Sequence, residues 1–184
     1  MLETSRLILR KWKVEDLEPF SRMNSHPSVM KFFPKLLNKS ETEKLILRIN
    51  EHWEKFGFGL FALEEKSSGK FFGFTGLMNT NFQSFFTPAL EIGWRLDHNF
   101  WGKGFAKEAA EASLKFGFEN SLSREIVSFT SRINHASRGV MNSLGLHYSG
   151  EFEHPRVKIG SSLRTHVLYR INCEEWKSKN KLPF

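Results

Sequence analysis

The sequence predicts an α/β fold, with one domain over residues 1–184 and a mixed, mostly antiparallel sheet. Strand-like and helix-like apolar periodicities alternate along the chain. No linker, repeat or low-complexity segment interrupts this alternation, and the length is sufficient to bury one substantial core.

The first elements are a strand and two helices. Residues 6–11 (RLILRK) alternate as a strand does, and residues 14–24 have helical spacing. This helix ends before Pro27, because proline disfavours helical backbone in the preceding residue. We expect the next helix to begin at Ser40, in a capping box with Glu43, and to end at the glycines that follow Phe56.

The later elements are mostly strands. A hairpin is expected first, then a strand followed by a long helix, and finally a short helix among three strands. The predicted strands are 60–63, 71–78, 90–96, 126–130, 147–152 and 164–171, and the predicted helices run to about Asn120 and over 136–144.

The most informative segment is residues 90–119, in which a strand leads through a turn with two glycines into a long amphipathic helix. The first amides of a helix have no helical partner, and the helix dipole is positive there, so such a turn can bind a phosphate. The P-loop pattern is excluded because Phe105 and Ala106 follow the second glycine. A dinucleotide fingerprint is excluded because Lys107 replaces its third glycine.

This segment resembles the acetyl-coenzyme A motif of the GNAT acetyltransferase superfamily, Q/R-x-x-G-x-G/A. Trp101 replaces the usual Gln or Arg, as is common in the branch that acetylates ribosomal-protein N-termini. Five further anchors are similar to that branch, in the same order: ETSRLILRKW, HPSVMKFFP, EIGWRL, RINHASRGVMNSLGL and HVLYRI. The resemblance implies a GNAT-like sheet of six to seven strands with splayed central strands and about four flanking helices.

The resemblance also implies that acetyl-coenzyme A is the co-substrate, with no metal. Its pyrophosphate would lie on the glycine turn, and its pantetheine arm between the two splayed strands. The residues that match the family's cofactor-binding positions are Leu96, Trp101, Gly102, Lys103, Gly104, Phe105, Ala106, Asn134 and Ser137. The Leu96 backbone would contact the arm and the thioester carbonyl, with its N–H as an oxyanion donor. Asn134 has an alternative role as a turn residue, and Ser137 as part of a first helical turn.

Two catalytic candidates follow. Glu91 is an acid within an apolar strand, where burial would raise its pKa towards that of a general base, although a structural hydrogen bond or ion pair is the alternative. Met141 occupies the position at which many GNAT enzymes have a tyrosine that acts as the general acid. Ser137, or less favourably Tyr148, could then assist the departing thiolate, which needs little help.

The acceptor is less clearly indicated. The family lines its acceptor pocket with the first two helices and two loops, and here those segments carry many aromatics that could equally be core. The residues of these segments include Met30, Phe32, Phe33, Pro34, Phe82, Phe85, Phe86 and 154–162.

The charge and composition indicate which classes of partner and which compartment to expect. The net charge of +7 is spread over the chain without a cluster, which is typical of a solvated surface with a bias towards anionic ligands and does not form a nucleic-acid footprint. No stretch resembles a membrane span or signal peptide, the single Cys173 forms no internal disulfide, and no spacing suggests a zinc site, so we expect a cytoplasmic protein.

We therefore expect transfer of an acetyl group to a primary amine, either a protein N-terminus or a small molecule, by a monomer or homodimer. The alternative is a non-catalytic GNAT-like binding module that associates with ribosomes or RNA.

Overall fold

The computed structural model describes residues 1–180, so the last four residues of the expected domain 1–184 lie outside the described part. Over this range the chain forms one eight-stranded sheet in the order β1-β2-β3-β4-β5-β6-β8-β7. The strands are β1 (Leu2–Glu3), β2 (Leu7–Arg10), β3 (Leu60–Glu65), β4 (Phe71–Thr80), β5 (Ala89–Leu96), β6 (Glu125–Ser131), β7 (His147–Glu153) and β8 (Thr165–Asn172). All neighbouring strands are antiparallel except β5 and β6, which are parallel.

Helices cover both faces of the sheet. The described residues form α1 (Leu17–Asn24), α2 (Pro27–Met30), α3 (Lys39–Phe56), α4 (Phe105–Glu119), α5 (His135–Leu144) and α6 (Cys173–Lys179). Leu114 of α4 and Met141 of α5 are buried against Ile92 of β5. Phe20 of α1 and Ile49 of α3 are buried in a separate cluster on the other face.

The predicted fold class is confirmed, with more elements than expected. The sheet has eight strands instead of six to seven, and the described residues form six helices instead of about four. The additional β1, α2 and α6 have two, four and seven residues, too few for a clear periodicity. The expected capping box of Ser40 and Glu43 is wrong, because the Asn38 side chain accepts from the Glu41 amide and the Glu41 carboxylate accepts from the Asn38 amide.

The two central strands separate after a short contact. β5 and β6 pair only at Leu90 with Ile126 and at Glu91 with Val127, and beyond these residues no ladder joins them. Ser128 Oγ donates to the Ile92 carbonyl across the start of the opening, at 2.9 Å. The expected splay is therefore present, and it lies beside the strand that leads to the glycine turn.

A buried ion-pair network joins β2, β3 and the turn before α1. The Arg10 guanidinium donates to both carboxylate oxygens of Asp16, at 2.7 and 2.8 Å, and to Glu64 at 2.7 Å. Arg10 and Asp16 are 8% and 2% exposed. Because both partners neutralise it, this guanidinium is compatible with burial.

Candidate active site

The glycine turn contains a row of backbone amides that lack a hydrogen-bond partner among the described residues. Gly102 and Gly104 have φ angles of 72° and 80°, in the left-handed region that favours glycine, and Gly104 is the residue before α4 begins. Within residues 1–180, the amides of Gly102 to Ala106 donate no hydrogen bond. Together with the positive end of the α4 dipole, they form a site suited to a pyrophosphate.

The N-terminal segment holds this turn in place. Glu108, in the first turn of α4, accepts from Thr4 Oγ1 at 2.6 Å and from the Arg6 amide and Nε at 3.0 and 2.7 Å. Arg6 Nη1 also donates to the Lys103 carbonyl at 2.9 Å, and its guanidinium lies 4.5 Å from the centre of the Phe105 ring. Burial raises the pKa of Glu108, but the hydrogen bonds from Thr4 and Arg6 outweigh it, so the pKa is lowered overall.

Leu96 directs its backbone into the gap between β5 and β6. The Asp97 amide donates to Phe72 on the β4 side, and because strand backbone alternates, the N–H and C=O of Leu96 point towards β6. The Leu96 carbonyl already accepts from Trp101 Nε1 at 2.9 Å. The Leu96 N–H is therefore the group of this residue that remains for a ligand in the gap.

Glu91 lies on the face of β5 opposite α4. Its Oε2 accepts from Thr80 Oγ1 at 2.8 Å, and a methyl group built on Gly93 would meet one atom within 4 Å, Glu91 Oε1 at 3.7 Å. Burial raises the pKa of Glu91 to about 7, against the weaker opposing effects of Thr80 and of the Arg156 charge. The carboxyl therefore directs one oxygen over an open position of the strand and titrates near neutrality.

Asn134 and Ser137 lie together at the start of α5. The Asn134 side chain accepts from the Ser137 amide at 3.3 Å and donates to Ser137 Oγ and Thr130 Oγ1, both at 3.0 Å. Asn134 is therefore the N-cap of α5, Ser137 lies in the first turn of that helix, and the Asn134 amide orients the Ser137 hydroxyl. Met141 is 1% exposed within the core and has no hydroxyl, and the Tyr148 side chain is 54% exposed.

Aromatic rings and two histidines surround the sheet end beyond Glu91. Four phenylalanines pack with His154 and His166, whose ring centres are 4.7 Å apart. Burial, His166 and Arg156 lower the pKa of His154 to about 4, and burial also lowers the pKa of His166. Both imidazoles are therefore neutral at pH 7. The phenylalanines are Phe82, Phe86, Phe129 and Phe152.

Comparison with known proteins agrees with this geometry. The family model "Acetyltransferase (GNAT) domain" matches residues 6–147. The chain belongs to the GNAT acetyltransferase family. It is 31% identical to the FsC-acetyl coenzyme A-N(2)-transacetylase of Aspergillus fumigatus, over 98% of this chain and 79% of that protein. It is 27% identical to the uncharacterized N-acetyltransferase YnaD of Bacillus subtilis, over 95% and 98% of the two chains.

Solved GNAT structures share the fold. A GNAT acetyltransferase from Bacillus anthracis superimposes with a TM-score of 0.76 at 25% identity, over 94% of this chain and 98% of that one. The ribosomal-protein-S5-alanine acetyltransferase from Vibrio fischeri has a TM-score of 0.75 at 21% identity, over 96% and 98%. These comparisons make the chain an acyltransferase of the GNAT family.

Four residues of this GNAT site were not predicted from the sequence. Arg6, Glu108 and Thr80 act through contacts between distant parts of the chain, which no local pattern indicates. Arg95 did have a signal, since it is a charged residue in an apolar strand on the same face as Glu91.

Residues 1–180 hold no group of three or more His, Cys, Asp or Glu arranged for a metal ion. None of the helices within that range is both long and apolar enough to cross a membrane.

Proposed function

We propose that this GNAT protein transfers an acetyl group from acetyl-coenzyme A to a primary amine of a small molecule or a protein N-terminus. The observation that carries the proposal is the row of unpaired amides at Gly102 to Ala106, at the end of the strand that bears Glu91. Anion-binding amides and a carboxyl with a pKa near 7 are the two groups that such a reaction needs.

The names of similar proteins support an amine acceptor. The Aspergillus fumigatus relative is named for transfer from acetyl coenzyme A to an N(2) position. Structural neighbours include a ribosomal L7/L12 alpha-N-protein acetyltransferase in complex with coenzyme A, at 15% identity and a TM-score of 0.74. Both are consistent with a nitrogen nucleophile as the acceptor of this chain.

Glu91 would remove the proton from the attacking amine. Its Oε1 is directed over Gly93 and makes no hydrogen bond with the described residues, while Oε2 is held by Thr80. With a pKa of about 7, a large fraction of the carboxyl is ionised at neutral pH and still basic enough to accept a proton.

The remaining groups would bind and polarise. The amides of Gly102 to Ala106 would hold the pyrophosphate, and the Leu96 N–H would donate to the thioester oxygen as negative charge develops on it. The Ser137 hydroxyl, held by Asn134, would donate to the departing sulfur. A thiol with a pKa near 8.5 leaves readily, so the role of Ser137 is the smaller one.

Calorimetric titration with acetyl-coenzyme A and a thiol-release assay over amines and peptides test the proposal together. We expect saturable binding, and free thiol that appears only when an acceptor is present. A protein that binds acetyl-coenzyme A, releases no thiol with any acceptor and shifts RNA in a gel would refute the enzymatic function and favour a non-catalytic binding module.

A further inference from the structure

Arg95 is a guanidinium with an unpaired edge. Its Nη1 donates to Asn24 Oδ1 at 2.7 Å, whereas its Nε is buried without a hydrogen-bond partner. Nη2 also makes no hydrogen bond within residues 1–180, and no carboxylate of the described residues offsets the charge. Burial alone lowers the pKa of Arg95 to about 10, so the side chain remains charged at neutral pH.

Arg10 shows how this protein otherwise accommodates such a group. The Arg10 guanidinium has Asp16 on its Nη1–Nη2 side and Glu64 on its Nε. Arg95 has no acidic partner and instead stacks on Phe33, whose ring centre is 3.9 Å from the guanidinium carbon. A desolvated, unpaired charge is unfavourable unless a ligand completes it.

Arg95 lies on the same face of β5 as Glu91, the proposed base. Glu91, Gly93 and Arg95 alternate onto one face of β5, and Gly93 leaves an open position between the two charged side chains. The Cα atoms of Glu91 and Arg95 are about 13 Å apart along a strand, and both side chains are long enough to reach inwards over the gap. The face is that of α1 and α2, opposite the α4 helix that carries the glycine turn.

Residues at the ends of α1 and α2 hold the Arg95 guanidinium in place. Asn24 ends α1, is fully buried, and donates from Nδ2 to Thr42 Oγ1 of α3 at 3.3 Å, which leaves its Oδ1 for Arg95. Phe33 follows α2 and holds the guanidinium plane by stacking. The Nε–Nη2 edge is the side of the fork that can bind a carboxylate through two parallel hydrogen bonds; Nη2 is its accessible donor, and Nε is covered by protein in this structure.

We propose that the acceptor is an amine that also carries a carboxylate, and that Arg95 binds this carboxylate while the amine lies over Gly93 beside Glu91. This inference rests on the proposed acetyl transfer and specifies its substrate class. Arg95 would thus determine specificity, and the acetyl-coenzyme A phosphates, bound at the other face of the sheet end, would not be its ligand.

Binding to the coenzyme A-saturated protein tests the inference without turnover. The probes are the straight-chain amino acids from glycine to 6-aminohexanoate and their primary amides, titrated by calorimetry and by the NMR signal of the Arg95 Nε–H. We expect at least one amino acid to bind about ten- to a hundredfold more tightly than its amide, because a charge-assisted bond is lost in the amide. The same amino acid should shift the Arg95 Nε–H signal.

Three variants assign this discrimination to Arg95. Arg95→Met should bind acid and amide equally, and Arg95→Lys should retain only part of the preference because it lacks the fork. Arg22→Met removes an exposed arginine of α1 and should behave as the wild type. All three should retain wild-type coenzyme A affinity, and Arg95→Met should unfold at or above the wild-type temperature, since it removes an unpaired buried charge.

Several results would overturn the inference. These are equal binding of every acid and its amide by the wild type, no binding of any amino acid, a preference that persists in Arg95→Met, or a loss of coenzyme A affinity in that variant. A less stable Arg95→Met with the preference intact would assign Arg95 a structural role in holding Asn24. Failure of the wild type to bind coenzyme A would instead refute the proposed function.

Discussion

Glu91→Gln should stabilise the protein at alkaline pH. The pKa of Glu91 is raised from 4.5 to about 7 by burial, so the folded chain retains a proton that the unfolded chain has already released between these pH values. Folding stability therefore falls as pH rises from 4.5 to 7, by about 1.4 kcal/mol per pH unit and at most about 3 kcal/mol in total. Gln cannot ionise, and its side-chain oxygen can still accept from Thr80 Oγ1.

Urea unfolding between pH 4 and pH 8.5 measures this effect. Wild type and Glu91→Gln should have similar free energies of unfolding at pH 4, and the variant should be more stable by up to about 3 kcal/mol at pH 8. Glu51→Gln removes an exposed carboxyl from α3 and should show no such divergence. A difference between Glu91→Gln and wild type that does not change with pH would refute the burial argument.

The same substitution should remove most of the activity. Positioned proton transfer contributes about 10²–10⁴-fold to turnover, so Glu91→Gln should lose an amount in that range while acetyl-coenzyme A affinity is unchanged. The wild-type rate should rise through pH 7 as Glu91 ionises, and the residual rate of the variant should rise only with the fraction of free amine. Wild-type turnover by the variant at pH 7 would show that water removes the proton.

Three further predictions concern the cofactor side. Gly104→Ala places a side chain on a left-handed backbone at φ 80°, so it should lose about 1–2 kcal/mol of stability. It should also lose acetyl-coenzyme A affinity, as measured by calorimetry. The control Gly139→Ala lies inside helix α5 and should gain about 0.5–1 kcal/mol of stability. In urea unfolding at pH 7, Glu108→Gln should be less stable than wild type, and the loss should be only about 1 kcal/mol because the half-exposed Arg6 partner is screened by solvent. The difference in stability should disappear as pH falls below the ordinary glutamate pKa, because the wild-type carboxylate is then protonated. A difference that stays constant with pH would contradict the lowered pKa of Glu108. Ser137→Ala should reduce turnover less than Glu91→Gln does, and the reverse order in a thiol-release assay would make the hydroxyl the main catalytic group.

Local patterns were sufficient for most of the elements and for the glycine turn. The predicted strand 90–96 and the helix after it occur as Ala89–Leu96 and Phe105–Glu119, because alternation, two glycines and a helical period are all written within 30 residues. Glu91 was identifiable for the same reason, as an acid in an apolar strand. The predicted boundary at Ser40 failed because Asn38 offers an equivalent capping oxygen one half-turn earlier.

Contacts between distant residues could not be predicted. Glu108 meets Thr4 and Arg6 across more than 100 residues of chain, and only the fold brings them together. Thr80 reaches Glu91 because β4 and β5 pair in one register, which sequence periodicity does not specify. The free edge of Arg95 likewise depends on Asn24 and Phe33, which lie in other elements.

The two faces of strand β5 and its edge towards β6 each have a different role. Leu90, Ile92 and Leu96 point to the α4 side and are buried there, so one face supplies core. Glu91 and Arg95 alternate onto the other face, where we place the acceptor. The edge towards β6 is unpaired beyond Glu91, and it is where the Leu96 amide faces the proposed pantetheine arm. Because side chains alternate with a period of two, a register shift of one residue would move both charged side chains to the α4 face and the apolar core residues to the face of α1 and α2. The stability of the sheet and the position of the base are therefore determined by the same register.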